Sequence, residues 1–371
     1  MKIALVTGGT AGVGRATVSA LLDKEYRVAV LARGKDRLDE MQTQYGDRVW
    51  TRVCDVSKDS EVQEAADALV SYWGTPDVWV NNAMLTSVSP FDEVDEDEFR
   101  KITETTYYGH VNGCRAALRV MTKGNIVNVG SGLSYRGLPY QAAYCGAKHA
   151  INGFSQSLRA ELIHQGRPIE ISLVQLPAIN TPQFDWSRNR LDVKPQPAPP
   201  IFQPEVAAQA VMKAIEGDAR EMLVGRSVLQ LIFGNMLFPD VLDQQLGKQG
   251  VEMQRSEQKD WGRADNIDGP LPDYPAKAHG SFDHKAEGSG IIVDADRTRK
   301  AVALTGAALL VAAGALAGRT LAPRRKARPV VVDRQDGDDA GRIDDQDRHA
   351  AWGAPRVPVA RFDGRDLTRT T

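Results

Sequence analysis

Short apolar runs alternate with longer amphipathic stretches through the first 180 residues, and this alternation constrains the fold of the chain more than any other feature. The runs are rich in β-branched side chains and lie at 3–6, 28–31, 49–53, 78–80, 126–129 and 169–174. Helical patterns lie at 13–22, 58–73, 95–121 and 143–165, followed by a helix from Pro204 to Glu216 and a short strand at 222–224. Strands that alternate with helices predict βαβ units with right-handed crossovers. The predicted fold class is therefore α/β, with a doubly wound parallel sheet buried on both faces.

A glycine-rich loop directly follows the first apolar run, and a helix is predicted to begin there. It reads Thr7-Gly8-Gly9-Thr10-Ala11-Gly12-Val13-Gly14. Glycines let the backbone turn tightly and approach a pyrophosphate, and the helix N-terminus presents free N–H groups to the anion. Glycine also marks ordinary turns, but a strand before the loop and a helix after it are the context that dinucleotide binding requires. We therefore predict a dinucleotide site.

The end of the second predicted strand distinguishes NAD from NADP. An acidic residue at this position would bind the ribose hydroxyls, but the chain has Leu31-Ala32-Arg33-Gly34-Lys35 instead. The Arg33 guanidinium suits a 2′-phosphate, which it can bind through two hydrogen bonds. The alternative is a solvated arginine at a helix start. The sequence favours NADP(H) over NAD(H).

Tyr144 and Lys148 are four residues apart in a predicted helix and so share one face. A tyrosine has a pKa near ~10, and a neighbouring ammonium favours the phenolate. The pair can therefore move a proton to or from an alcohol oxygen. Ser131, just beyond the strand at 126–129, can hydrogen-bond the same oxygen. On its own, Tyr-x-x-x-Lys is a common surface pattern of helices, so its weight comes from the glycine loop and from Ser131.

Taken together, these motifs resemble the short-chain dehydrogenase/reductase family over about residues 1–235, in a bacterial subgroup with a C-terminal extension. The resemblance implies a single Rossmann catalytic domain and hydride transfer between a nicotinamide and a carbonyl or secondary alcohol. It implies that Tyr144 is the acid/base, that Ser131 assists it, and that Lys148 holds the cofactor ribose. No metal ion is expected.

The resemblance also assigns cofactor contacts, residue by residue. Asp55 in Cys54-Asp55-Val56 matches the aspartate that contacts adenine, and Thr181 matches the threonine that contacts the nicotinamide carboxamide. Asn81-Asn82-Ala83 matches the step that steadies the sheet beside the cofactor. The expected cofactor-binding residues are Thr7, Gly8, Thr10, Gly12, Val13, Gly14, Arg33, Asp55, Val56, Asn82, Ala83, Tyr144, Lys148 and Thr181.

Three positions depart from the family pattern. Met84 replaces the usual glycine, the proline before the nicotinamide loop is shifted to Pro177, and Thr106 aligns with the catalytic asparagine. The family asparagine helps to hold a water chain that runs from the lysine, and a threonine hydroxyl can also donate and accept. We count Thr106 among the expected catalytic residues. A nucleotide-binding scaffold or sensor held at a membrane, with little or no activity, is the alternative function.

The substrate pocket is expected at the carboxyl ends of the strands. Its candidate wall residues are Leu133, Tyr135, Tyr140, Ile179 and Phe184, each of which can equally be a packing residue. An apolar wall favours a small hydrophobic carbonyl or alcohol as substrate.

The C-terminal third changes character. Residues 301–318 carry no charged side chain in 18 positions, and basic residues flank them on both sides. A helix of that length spans about 27 Å, close to a ~30 Å hydrocarbon core. We predict a catalytic domain at 1–235, an irregular arm or linker at 236–296, a transmembrane or membrane-anchoring helix at 297–322 and a disordered charged tail at 323–371. A buried alanine-rich helix is the alternative for 301–318, and the topology of the tail stays open.

Charge and cysteine content limit the remaining functions. The net charge of −2 over 371 residues argues against a chain-wide nucleic-acid-binding role. Three cysteines are too few for a disulfide framework, and no secretory leader precedes the first strand. We expect a cytoplasmic catalytic domain that is attached to a membrane by its C-terminal segment. The family resemblance implies a homo-oligomer.

Overall fold

A twisted eight-stranded sheet forms the centre of the computed structural model, which describes residues 1–301, 304 and 305 except for Asp218, Trp261 and Asp273. In chain order the strands are β1 (Ile3–Thr7), β2 (Arg27–Ala32), β3 (Val49–Val53), β4 (Val78–Asn81), β5 (Ser87–Val88), β6 (Gly124–Ser131), β7 (Ile169–Leu176), β8 (Ala178–Ile179), β9 (Arg188–Asn189), β10 (Val193–Pro195), β11 (Ile201–Phe202), β12 (Glu221–Val224), β13 (Arg255–Lys259), β14 (Ala286–Glu287) and β15 (Ile292–Asp294). The central sheet has the order β15-β12-β7-β6-β4-β1-β2-β3. All of its neighbouring strands are parallel except β15, which runs antiparallel to β12. The predicted doubly wound α/β fold is confirmed.

Helices cover both faces of this sheet. In chain order they are α1 (Gly12–Asp23), α2 (Lys35–Tyr45), α3 (Asp59–Trp73), α4 (Glu96–Thr103), α5 (Gly109–Val120), α6 (Ala142–His164), α7 (Gln183–Trp186), α8 (Pro204–Gly217), α9 (Gly225–Leu237) and α10 (Pro239–Gln249). Apolar side chains of α1, α2 and α8 pack in one buried cluster, and those of α3, α5 and α6 pack in a second one on the opposite face. The strands between them are mostly apolar and almost fully buried, as expected for a sheet that is covered on both faces.

Two helical regions differ from the sequence prediction. The single helix predicted at 95–121 is divided into α4, a wider π-helical turn (Glu104–Tyr108) and α5. Such a turn shifts the register of the side chains that follow it. Helix α2 was not predicted, because its sequence is mostly polar and it buries only Leu38 and Met41.

The structure also differs from the predicted end of the catalytic domain near residue 235. Helix α9 runs through that position, and β15 adds a strand to the central sheet by pairing with β12. Strand β13 pairs with β10, and β14 joins a small sheet with β11 and β8. The segment predicted as an irregular arm therefore contributes to the same compact unit as strands β1–β7. The polar composition of this segment did not indicate these strand pairings, because they are made largely by backbone hydrogen bonds.

The predicted membrane helix at 297–322 lies outside the described residues, apart from 297–301, 304 and 305, and so does the predicted tail at 323–371. Among the helices of the described residues, none has both the length and the apolar character needed to cross a bilayer. The three cysteines (Cys54, Cys114 and Cys145) are all buried and unpaired.

Candidate active site

The glycine loop is tied to the end of strand β4. Thr7 Oγ1 accepts hydrogen bonds from the backbone N–H groups of Asn82 at 2.9 Å and Ala83 at 3.1 Å. Asn82 Nδ2 in turn donates to the carbonyl oxygens of Thr7 at 3.0 Å and Gly8 at 3.3 Å. Thr7 and Asn82 therefore set the shape of the loop at the switch point between β1 and β4, where doubly wound sheets bind ligands.

Glycine is required in this loop for steric reasons. Gly8 and Gly12 have φ angles of +65° and +56°, which side chains other than glycine rarely adopt. A Cβ on Gly14 would stand 2.3 Å from the Gly8 carbonyl oxygen and 2.5 Å from Asn82 Nδ2. The backbone is thus packed too tightly for any other residue and leaves an open concavity on its outer side, as the cradle of a pyrophosphate requires.

One cavity of about 650 Å³ opens at the carboxyl ends of the parallel strands, beside this loop. Most of the predicted site residues line it: Gly8, Thr10, Gly12, Val13, Arg33, Asp55, Val56, Asn82, Ala83, Ser131, Tyr144, Lys148 and Thr181. Thr7 and Gly14 are not in that lining and act through the shape of the loop. The cavity therefore brings most of the predicted cofactor contacts together with Ser131, Tyr144 and Lys148 in a single site.

Ser131, Tyr144 and Lys148 meet in this cavity. Ser131 ends β6, and its Oγ accepts a hydrogen bond from the N–H of Leu133 at 3.1 Å. Lys148 Nζ lies 5.6 Å from the centre of the Tyr144 ring and donates to the Val129 carbonyl oxygen at 2.6 Å. The ammonium is therefore held against the backbone of β6, on the same side as the tyrosine.

The electrostatics of this trio differ from the sequence expectation. Burial raises the pKa of Tyr144 above its usual value, and a hydrogen bond with Ser131 acts in the opposite direction. Burial also lowers the pKa of Lys148, to about 7. Desolvation therefore dominates the pKa of Tyr144, and the predicted lowering by Lys148 is not among the effects that the structure shows.

Thr106, the fourth predicted catalytic residue, does not line this cavity. Its hydroxyl accepts from the N–H of Leu85 at 3.0 Å and donates to the carbonyl oxygen of the same residue at 3.0 Å. The side chain is fully buried, and the neighbouring Thr105 rather than Thr106 lines the cavity. The Thr106 hydroxyl thus holds the backbone of Leu85, and the place of Thr106 among the catalytic residues stays a prediction.

Three of the five predicted pocket-wall residues line the cavity: Leu133, Ile179 and Phe184. The Tyr135 hydroxyl instead donates to Glu221 Oε1, on strand β12. Tyr140 has a φ angle of +68°, and its carbonyl oxygen accepts from the N–H of Ser89 at 2.9 Å. These two tyrosines are structural residues, which their aromatic character alone did not reveal.

The sequence prediction missed two parts of the cavity. Helices α9 and α10 supply much of the wall on the substrate side, through Ser227, Gln230, Leu231, Leu242, Gln245 and Leu246. Arg37, in the first turn of α2 and four residues after Arg33, lines the cavity at its other end, and its guanidinium lies 4.9 Å from the centre of the Trp186 ring. Arg33 precedes the start of α2, so no helical spacing in the sequence indicated the second arginine.

Arg33 and Arg37 form a positively charged end of the cavity. Arg33 donates to the carbonyl oxygen of Asn266 at 2.7 Å. Burial lowers the pKa of both groups, and the charge of Arg33 lowers that of Arg37 further, whereas Asp55 and Asp268 act on Arg33 and Glu40 acts on Arg37 in the opposite direction. Two adjacent guanidinium groups at one end of a cavity favour a dianionic ligand.

Comparison with known proteins places this architecture in context. The family model described as short chain dehydrogenase matches residues 2–191. An uncharacterized oxidoreductase of Bacillus subtilis, YxnA, is 29% identical over 265 residues, which cover 69% of this chain and 74% of that protein. Carbonyl reductase family member 4 of Danio rerio is 29% identical over 218 residues, 58% of this chain and 91% of that protein.

Two solved structures are similar as well. A short-chain dehydrogenase from Streptomyces avermitilis superposes with a TM-score of 0.57 and 25% identity, covering 67% of this chain and 97% of that one. An alcohol dehydrogenase from the archaeon Thermococcus sibiricus, complexed with 5-hydroxy-NADP, gives a TM-score of 0.52 and 26% identity, covering 60% and 95%.

Proposed function

The chain belongs to the short chain dehydrogenase family, and from that premise we propose that it is an NADP(H)-dependent oxidoreductase acting on an uncharged carbonyl or secondary alcohol. The similar proteins support the coarser statement that the chain is an NAD(P)-dependent oxidoreductase of this family. The observation that carries the finer proposal is the single cavity shared by the glycine loop, the Arg33–Arg37 pair and the Ser131–Tyr144–Lys148 trio.

The residues present fit a dinucleotide phosphate. The glycine loop leaves space where side chains would clash, and its helix N-terminus faces the cavity. Arg33 and Arg37 occupy the place where an acidic residue would select NAD, and their two guanidinium groups suit a 2′-phosphate. When bound, the nicotinamide supplies or takes up the hydride.

The trio handles the proton. Tyr144 Oη donates a proton to the substrate oxygen during reduction and takes one back during oxidation. Ser131 Oγ binds the same oxygen and stabilises the charge that develops on it. The raised pKa of Tyr144 keeps its hydroxyl protonated at neutral pH, which suits the reductive direction. Lys148 Nζ, fixed on the Val129 carbonyl oxygen, supplies positive charge next to the phenol when it is protonated.

The cavity also limits the substrate. Among the described residues, its charged lining side chains are Arg33, Arg37, Asp55 and Lys148, all on the cofactor and catalytic sides. The substrate side carries leucines, a phenylalanine, glutamines and a serine. A carboxylate or phosphate would enter this side without a countercharge, at a large desolvation cost, so we expect a neutral and largely apolar substrate.

The test combines cofactor binding with turnover. NADPH and NADH are titrated against the full chain, and NADPH consumption is then followed with a panel of neutral aldehydes and ketones. Tyr144→Phe should retain NADPH binding and lose at least about 100-fold of the turnover of any substrate found. Undiminished turnover would contradict the proton role of Tyr144, and tight NADPH binding without turnover across the panel would favour the scaffold alternative.

Membrane attachment through 301–318 and homo-oligomer formation stay predictions from the sequence. Fractionation of the full chain in comparison with a chain that ends near residue 300 tests the first, and sedimentation of the same two proteins tests the second.

A further inference from the structure

A polar segment near the C-terminal end of the described residues runs past the cofactor side of the cavity. We call residues 266–272 and 274–283 the cofactor arm. They contain no described helix or strand apart from the start of a short 3₁₀ turn at Asp283, yet Ile267, Ala276 and Phe282 are buried at 2%, 5% and 3% exposure. The arm is thus held against the protein at three apolar points, and the backbone between them is irregular.

The arm meets each of the three segments predicted to hold the cofactor. At the adenosine end, the Asn266 carbonyl oxygen accepts from Arg33 at 2.7 Å, and both Asn266 and Pro270 line the cavity. At the phosphate loop, the N–H of Gly12 donates to the Lys277 carbonyl oxygen at 3.0 Å. Carbonyl oxygens of the arm therefore accept hydrogen bonds from Arg33 and from Gly12, two residues that are expected to contact a dinucleotide.

At the nicotinamide end, the N–H of Gly280 donates to the Asn180 carbonyl oxygen at 3.2 Å, and the N–H of Phe282 donates to Asn180 Oδ1 at 3.0 Å. A Cβ on Gly280 would stand 2.4 Å from the Thr181 carbonyl oxygen. Glycine at this position lets the arm lie directly on the loop that carries Thr181.

Side chains outside the cavity fasten the arm to the body of the protein. Glu40 Oε2, on the exposed face of α2, accepts from the N–H of Ala276 at 3.0 Å. The Tyr274 hydroxyl donates to the Asp185 carbonyl oxygen at 3.2 Å, and its ring packs edge-on against Trp186 with 5.5 Å between the ring centres. Ion pairs of Asp268 with Lys101 and Arg188, and of His279 with Glu205, add to these contacts. The arm has no regular secondary structure of its own, and such a segment can detach locally without unfolding the sheet.

We propose that the cofactor arm is a fourth segment of the cofactor site, which closes over bound NADP(H) and has to open before the cofactor is exchanged. This inference rests on the proposed function. It assigns to the C-terminal region a role in cofactor retention that the glycine loop and the arginines do not supply. Weakening a contact that holds the arm should therefore speed cofactor release and leave the catalytic trio intact.

Glu40 allows a matched test, because it is exposed and touches the arm rather than the cavity. NADPH is preloaded on the full chain, excess NADP⁺ is added by rapid mixing, and the loss of bound NADPH fluorescence gives the release rate. Glu40→Ala should release NADPH about 3- to 10-fold faster than the unaltered chain, as expected for one lost hydrogen bond. Glu40→Gln, which keeps an acceptor oxygen without the charge, should release NADPH no faster than the unaltered chain.

Asp39→Ala is the control for a lost carboxylate on the same helix, since Asp39 pairs with Lys35 and not with the arm. Loss of negative charge beside Arg37 would by itself slow the release of an anionic ligand. Faster release from Glu40→Ala therefore separates the arm from simple electrostatics. Equal release rates for Glu40→Ala and Asp39→Ala would overturn the role of the arm.

Trypsin provides an independent readout, because Lys277 is exposed in the arm. Saturating NADPH should slow cleavage after Lys277 by several fold, and equal cleavage with and without NADPH would also overturn the proposal. Failure of the unaltered chain to bind NADPH would instead contradict the proposed function itself, so the two failures are distinguishable.

Discussion

Thr106 and Leu85 are joined by two hydrogen bonds, both 3.0 Å long, in which one hydroxyl accepts from the N–H and donates to the carbonyl oxygen of the same residue. Leu85 lies in the loop after β4, directly after Asn82-Ala83-Met84. Thr106 lies in the π-helical turn between α4 and α5. The pair therefore fastens the loop beside the cofactor cavity to the helix that packs behind it.

We predict that Thr106→Val lowers the free energy of unfolding by about 1–3 kcal/mol, because two buried backbone groups of Leu85 lose their partner. Thr103→Val is the control, since its exposed hydroxyl bonds only the Phe99 carbonyl oxygen within the helix. It should change the unfolding free energy by less than about 0.5 kcal/mol. Urea denaturation measures both values, and equal effects of the two variants would contradict the structural role of Thr106.

Arg33→Ala and Arg37→Ala should each weaken NADPH binding by about 10- to 100-fold, as expected for a lost hydrogen bond to a charged phosphate. NADH binding should change much less, because NADH has no 2′-phosphate. Lys35→Ala, between the two arginines and paired with Asp39 in solvent, is the control. Titration of the cofactor fluorescence gives the constants, and a selectivity for NADPH that survives both substitutions would refute this assignment.

His110 gives a prediction for the pH dependence of stability. Burial, and then the charge of Lys148, hold the pKa of His110 well below 6.5, and its Nε2 has no hydrogen-bond partner among the described residues. In the unfolded chain His110 binds a proton near pH ~6.5, whereas in the folded chain it stays neutral at this pH. The free energy of unfolding therefore falls as the pH drops below this value. Lys148, whose pKa is lowered to about 7, acts in a separate window above pH ~7, where stability rises with pH.

The His110 contribution amounts to at most about 1.4 kcal/mol per pH unit for one proton. His110→Gln should remove that part of the slope between about pH 5 and pH 6.5, whereas His164→Gln, at the exposed end of α6, should leave it unchanged. Urea midpoints across this range provide the measurement. A slope that is the same in His110→Gln and in the unaltered chain would show that His110 is not held neutral.

Gly14→Ala should disrupt the phosphate cradle, because its Cβ would stand 2.3 Å from the Gly8 carbonyl oxygen. We expect weaker NADPH binding together with a lower melting temperature. Gly153→Ala is the matched control within α6, where an added Cβ meets nothing within 4 Å, and it should stabilise the protein by up to about 1 kcal/mol. Unaltered NADPH binding in Gly14→Ala would contradict the role of this loop.

Much of the fold and of the site was accessible from the sequence, because the relevant signals are local. The strand patterns, the glycine loop and the spacing of Tyr144 and Lys148 each depend on residues close together in the chain. Helix α2 and strand β15 escaped prediction because the first is mostly polar and the second is stabilised by its pairing with β12. Tyr135 was misplaced because its partner, Glu221, lies on a distant strand.

The sequence by itself determined the class of fold and the place of the glycine loop, and it predicted the residues that would move a proton, since backbone conformation and side-chain spacing follow from neighbouring residues. Only the tertiary structure decided three contacts. The Thr106 hydroxyl bonds the backbone of Leu85, Arg37 lies beside Arg33 at one end of the cavity, and the cofactor arm accepts a hydrogen bond from Gly12. The contacts of Thr106 and of the arm join segments far apart in the chain, often through backbone groups that every residue carries. No local pattern of side chains encodes such pairings, and they form only when the packed sheet brings the segments together.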